Sequence, residues 1–524
     1  MQRVLINGEW RESNGSDSFQ AENPATCELL PDVYPVSNWE DCEAALDAAS
    51  RAAEAMWSLP ADVVADFLEI YADRIEARAD DLVEMAHLET ALPKSPRLAD
   101  GELPRTTGQL RQAAAAARNG SWSLPTIDTT TGIRSVYRPI GPICVMGPNN
   151  FPFAFGSISG GDFAAAIAAG NPVIAKANSS HPGTTRLFAE EAQAAAEQAG
   201  LPAGMVQLIY RMPHADGERL VADARVGATG YTGSQHAGLA LKAAADANGK
   251  PIYLELSSVN PIVMLPGSLE ERGEALADEF TGSCLMGTGQ FCTNPGLVIL
   301  LKGETTDRFV EMVTQRFQEA PVGTLLSRGV QSSLQDNLGT LVDAGAQLLV
   351  GNTPAEEGRC CFSNTLLQIT GDQFVASPEV MQTEAFGNAS LLLIADSVQQ
   401  VCDTIDQLEG NLTGCIYSHS EGSDDAAYDQ IAPRLRQRVG RLLNDKMPTG
   451  VAVSSAMNHG GPYPATGHPG FTAVGIPASL VRFSMLQSYD NVRAHRLPTI
   501  LQDANPTGKT WRLIDEQWSA DDVV

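Results

Sequence analysis

The chain has 524 residues, 43% apolar and 19% charged, the balance of a soluble globular protein built from two or three domains. Asp and Glu number 63 against 35 Lys and Arg, and the resulting charge of −28 argues against nucleic acid and anionic membranes as partners. Nine cysteines with no Cys-x-x-Cys pair and no His/Cys ligand spacing exclude a disulfide scaffold and predict a reduced, cytoplasmic compartment and no metal site.

The first residues, "MQRVLINGEWRESNG", are polar and show no signal-peptide core, and the longest apolar runs, such as "GLVILL", are too short to span a bilayer. "NWEDCEAALDAASRAAEAMWSL" and "PADVVADFLEIYADRIEARADDLVEMAHLETAL" read as amphipathic helical regions, and "RTTGQLRQAAAAARNG" as an Ala-rich helix closed by Gly120. The texture then changes. "SWSLPTIDTTTGIRSVYRPIG" is Thr-rich and β-branched with turn residues inside, so it predicts a hairpin.

From Gly141 a strand–turn–helix rhythm sets in. "PICVMGP", "NPVIAKAN", "GMVQLIY", "VGATGYTGS", "PIYLELS" and "NPIVML" are strand runs, and Ala-rich helical stretches separate most of them. This alternation predicts an α/β protein with an open parallel sheet wound by helices. A second α/β stretch runs from about Leu269 to Val474, and the acidic tail "WRLIDEQWSADDVV" reads as loosely held at its end.

Several residues have the character of a reaction centre. Cys292, in "MGTGQFCTNPG", sits among Gly287, Gly289 and Gly296, so a substrate and backbone N–H groups can approach its sulfur. Cys27, Cys42, Cys144, Cys284, Cys402 and Cys415 lie in apolar or helical settings and read as packed thiols. Glu255 interrupts an apolar strand, as a general base with a raised pKa or an edge-strand glutamate would. Asn150 follows a strand, as an oxyanion donor or a turn asparagine. Gly233 and Gly238 stand at GxxxxG spacing between a strand and a helix that Ser234 could cap, a place suited to a pyrophosphate. Lys176 closes the strand "VIAKA", facing either a ligand or solvent.

The segments "GPNNFPF", "VIAKANSSHP", "GYTGS", "LELSSVNP", "GQFCTNPG" and "TEAFG" occur together in one order, and in them the chain resembles the aldehyde dehydrogenase superfamily over nearly its whole length. The resemblance implies a Rossmann-type cofactor domain at 1–120 and 141–262 and an α/β catalytic domain at 263–479. It also implies a small β oligomerisation arm at 121–140 and 480–524, joining copies into a homodimer or homotetramer. The hairpin of that arm would pair with a strand inside 480–500.

It further implies Cys292 as nucleophile, Asn150 with the Cys292 N–H as oxyanion donors, and Glu255 as the base that hydrolyses a thioester to a carboxylic acid. Lys176 would hold a cofactor ribose hydroxyl and Glu384 the nicotinamide ribose, with Phe386 packed nearby. Many NAD-preferring relatives carry a glutamate at the position of Ser179. Ser179, with Ser180 and His181 behind it, therefore predicts NADP as the preferred cofactor and NAD as a second choice. Asn388 stands where the family usually has proline.

"RTTGQLR", "TGQFCTNPGLV" and "HGGPYPAT" look like the branch of α-ketoglutarate semialdehyde (2,5-dioxopentanoate) dehydrogenases and a related NADP-dependent fatty aldehyde dehydrogenase. That likeness places Phe153, Phe291, His459 and Arg111 around the aldehyde, with Arg111 pairing to a substrate carboxylate. Gly470 departs from it, standing where the branch carries arginine. A medium- or long-chain fatty aldehyde is the alternative substrate. An acylating dehydrogenase that releases a CoA thioester and a silent structural relative are the competing classes.

Overall fold

A computed structural model describes residues 1–523. The strands Ile143–Met146, Val173–Lys176, Val206–Ile209, Ala228–Thr232 and Ile252–Glu255 form one parallel sheet. The first three of them are buried on both faces apart from Lys176, which is why they read as near-continuous apolar runs. The first strand, Ile143–Met146, lies between the second, Val173–Lys176, and the fourth, Ala228–Thr232. Their order therefore reverses beside it, and a ligand crevice opens at such a point on the carboxyl side of the strands. Two short antiparallel strands, Val4–Ile6 and Glu9–Arg11, extend the sheet. They and the hairpin Ser18–Asn23/Glu28–Pro35 carry no clear alternation, so the sequence reading passes over them.

A second seven-stranded sheet is built from residues 262–444, parallel except for Gln347–Val350, with apolar clusters packed on both faces. A third sheet joins Thr126–Ile127 and Arg134–Pro139, the expected hairpin, to Ser484–Tyr489, which pairs antiparallel with Arg134–Pro139 inside the predicted 480–500 window.

The tail joins this sheet from its start. Arg512–Ile514 pairs in parallel with Thr126–Ile127, and Gln517–Ser519 folds back upon it. Arg512 is fully buried, and its guanidinium donates to the carbonyls of Gln502, Asp503 and Asp521. One desolvated cation thus ties the tail down, which acidic composition alone did not indicate.

The helices begin and end where their sequence signals stand. Leu103–Asn119 stops at Gly120, whose φ of +71° is the left-handed cap an L-residue resists. Pro182 opens Pro182–Gln198, where a missing N–H costs nothing. No helix of the described residues is long and apolar enough to cross a membrane.

Candidate active site

The loop carrying Cys292 enters through a left-handed turn. Gly287, Thr288 and Gly289 all have positive φ, and a Cβ at Gly289 would lie 1.9 Å from the carbonyl oxygen of Gly387. The small residues therefore let the cysteine loop sit directly on the "TEAFG" loop. Asn260 Nδ2 then holds the carbonyls of Cys292 and Asn294, each at 2.9 Å.

The strand Ile252–Glu255 ends with its carboxylate buried, and the strap containing His459 closes over it. His459 Nε2 lies 2.7 Å from Glu255 Oε1 and 3.4 Å from Cys292 Sγ. The backbone N–H of His459 is fixed by Thr472 Oγ1 at 2.8 Å. Glu255 Oε2 is buried and has no hydrogen-bond partner among the described residues, so it is a carboxylate oxygen free to accept a proton. Burial lifts the Cys292 thiol well above its usual range, and the negative charge of Glu255 adds to the rise; Arg105 acts in the opposite direction.

The loop that bears Asn150 is tied to this cluster. Asn150 Nδ2 donates to the carbonyl of Gln290 at 3.0 Å, leaving its second amide hydrogen available. Glu102, fully buried, accepts the N–H groups of Phe153 and Ala154 at 3.0 and 3.1 Å. Arg97 pairs with Glu102 at 3.1 Å and donates to the carbonyl of Asn150 at 2.8 Å. Its guanidinium also lies 4.0 Å from the ring centre of Phe151 and 5.1 Å from that of Phe291. The sequence reading missed Arg97, Glu102 and Asn260. The signal for Arg97 and Glu102 was weak, two charged residues just before a helix, whereas Asn260 stood inside a quoted motif.

The cofactor-type crevice is a cleft of about 470 Å³ at the carboxyl ends of the parallel strands. Lys176, Ser179, Gly233 and Ser234 line it, joined by Arg211, His214 and His236. Glu218 is the only carboxylate among its described lining residues. Burial and the charge of Arg211 lower the Lys176 pKa to about 8.

Three expectations here need correction. Ser234 occupies the cap position of Gln235–Ala247, but its side chain makes no capping bond. Gly238 does not line the cleft; a Cβ there would meet Leu256 Cδ2 at 2.4 Å, so this glycine lets the helix pack on the strand end. His181 points inward, with Nε2 3.0 Å from the Pro148 carbonyl, and burial pushes its pKa down to about 4.

Glu384 and Phe386 line a narrow cavity with Ser258 and Gly289. Burial raises the Glu384 pKa to about 7, against hydrogen bonds from the Ser257 side chain and the Ser258 N–H. Asn388, at the family's proline position, is tethered through Nδ2 to Phe362 O and Asn364 Oδ1, both at 2.8 Å.

Of the residues expected around the aldehyde, the structure brings only His459 against Cys292. Arg111 faces outward and pairs with Glu76 and Asp73, because the neighbouring acidic helix Ala61–Ala77 supplies carboxylates on that side. Phe153 is fully buried and packs edge-on against Phe188, a core contact. Phe291 is buried against Phe151 and joins the two loops.

A parallel sheet with a cationic crevice at its switch point, next to a half-buried Cys292 with buried His459 and Glu255, is the layout of an α/β enzyme. The chain belongs to the aldehyde dehydrogenase family, which it matches over residues 10–461. It is 38% identical to alpha-ketoglutaric semialdehyde dehydrogenase 2 of Azospirillum brasilense, over 96% of this chain and 97% of that protein. It is 34% identical to the alpha-ketoglutaric semialdehyde dehydrogenase of Acinetobacter baylyi, over 96% of each. The fold matches that of an aldehyde dehydrogenase from Bacillus cereus solved with NAD+, with a TM-score of 0.79, 20% identity, and coverage of 93% of this chain and 96% of that one.

Proposed function

We propose that this aldehyde dehydrogenase oxidises α-ketoglutarate semialdehyde to the dicarboxylic acid through a thioester on Cys292, with NADP+ preferred over NAD+. The observation that carries the reading is that Cys292 Sγ and Glu255 Oε1 both lie against His459 Nε2 while Glu255 Oε2 has no partner among the described residues. Cys292 loses its proton to solvent and the thiolate attacks the aldehyde carbon. The remaining amide hydrogen of Asn150 donates to the oxyanion that forms. Glu255 then accepts a proton from the water that hydrolyses the thioester.

The donor set of the cleft fits a dinucleotide phosphate. Lys176 and Ser179 would take the adenosine ribose and, with Arg211, its 2′-phosphate, while Glu384 would hold the nicotinamide ribose; when bound, the nicotinamide accepts the aldehyde hydride. The substrate is that named for the two relatives at 38% and 34% identity.

We further read the third sheet as the contact between copies in a homodimer or homotetramer, because Met485 and Leu486 lie exposed on its edge strand. A cytoplasmic location agrees with nine unpaired thiols.

The test is a burst experiment with the semialdehyde. Cys292→Ala abolishes turnover, and Glu255→Gln keeps a stoichiometric burst of NADPH with a slow steady state. Normal turnover in either variant rejects the mechanism, and a kcat/KM that favours NAD+ rejects the cofactor assignment.

A further inference from the structure

Three arginines flank the nucleophile and oxyanion loops, and they differ in what they leave unused. Arg97 spends Nη2 on Asn150 O and Glu102. Arg441 spends Nη2 on Pro448 O at 2.9 Å and turns Nη1 to Met457 Sδ, leaving only Nε without a partner. Arg105 donates from Nη1 to Val451 O at 2.5 Å, and both its Nε and its Nη2 are buried with no partner among the described residues. Nε–H and Nη2–H share one edge of the guanidinium, and that edge matches the two oxygens of a carboxylate.

A desolvated cationic edge with nothing on it is costly to keep. Neither nearby carboxylate bonds this edge: Glu102 holds two backbone N–H groups and Arg97, and Glu255 turns Oε1 to His459. The edge also belongs to the reaction centre. Arg105 lies in the electrostatic field of Cys292, Glu102 and Glu255. Its Cζ sits 5.3 Å from the ring centre of Phe155, and that ring meets His459 edge-on at 5.8 Å. Arg105, Phe155, His459 and Cys292 thus form one contiguous line.

We infer that Arg105 selects aldehydes bearing a carboxylate at the far end of a short chain, gripping it side-on through Nε and Nη2. Nη1, locked on Val451, fixes the fork before substrate arrives, so little order is lost on binding. This inference rests on Cys292 being the nucleophile, and it moves the anion-binding role expected of Arg111 to another arginine of the same helix.

The test compares kcat/KM for α-ketoglutarate semialdehyde and for pentanal, its five-carbon neutral counterpart, with NADP+. In Arg105→Gln the ratio of the two falls on the order of 100-fold, as for truncation of a buried charge pair. Arg105→Lys restores only part of it, because an ammonium offers no fork. An unchanged ratio, or a wild type that takes pentanal equally well, overturns the inference while leaving the dehydrogenase reading intact. Absence of turnover with every aldehyde fells both. A second measurement needs no turnover: glutarate should protect Cys292 from iodoacetamide in the wild type and fail to do so in Arg105→Gln. Equal protection in the two proteins also overturns the inference.

Discussion

The amide of Asn150 donates to the carbonyl of Gln290 at 3.0 Å, so the loop of Asn150 and the loop of Cys292 form one hydrogen-bonded unit although 140 residues separate them. Arg97 and Glu102 brace that unit from behind.

Glu102 should therefore act on rate without touching substrate. Its carboxylate satisfies two buried N–H groups and neutralises Arg97. Glu102→Gln is expected to lower kcat about tenfold by loosening the Asn150 donor, roughly the loss of 1.4 kcal/mol, with KM for NADP+ unchanged. Glu102→Ala should cost about 3–5 kcal/mol in urea unfolding, since it strands Arg97. A normal kcat together with unchanged stability would show that the brace is idle.

Alkylation of Cys292 should follow the thiol's raised pKa. The thiolate is the reactive form, and its fraction grows about tenfold per pH unit while the pH stays below the pKa. Iodoacetamide labelling of the protein without cofactor should thus be slow at pH 7 and still climbing at pH 9. Because the charge of Glu255 helps hold the thiol protonated, Glu255→Gln should speed labelling at fixed pH even as it slows turnover. A rate that plateaus below pH 8 contradicts this.

Cofactor affinity should rise with pH near neutrality. Glu384 has its pKa raised to about 7, so it is largely protonated at pH 6 and largely ionised at pH 8. Only the carboxylate accepts hydrogen bonds from both hydroxyls of a ribose. Dissociation constants for NADP+ should fall several-fold between those pH values, and Glu384→Gln should flatten the change. Calorimetric titration that finds the same slope in both proteins would remove Glu384 from the cofactor site.

Arg111→Ala should leave kcat/KM for the semialdehyde as it is. The side chain sits in exposed ion pairs with Asp73 and Glu76, which are worth about 0–1 kcal/mol. A specific loss for the semialdehyde would return Arg111 to the substrate site.

The sequence by itself determined the parallel sheet, because its strands are short apolar runs between helices with recognisable caps, and local pattern suffices for that. It also singled out Cys292, Glu255 and Asn150, since each breaks its local pattern. The order of the six motifs then carried the family. Only the tertiary structure decided where the arginines point. Arg105 and Arg111 are six residues apart on one helix, less than two full turns, and both are plausible cations in sequence. One faces a helix rich in acids and spends itself on the surface; the other meets Val451, some 346 residues away, and keeps its fork dry. His459 likewise reaches Glu255 and Cys292 only because the strap that bears it folds over the strand end, 204 and 167 residues from its partners. Charge and polarity are written locally, but which partner neutralises a given charge is fixed by non-local packing.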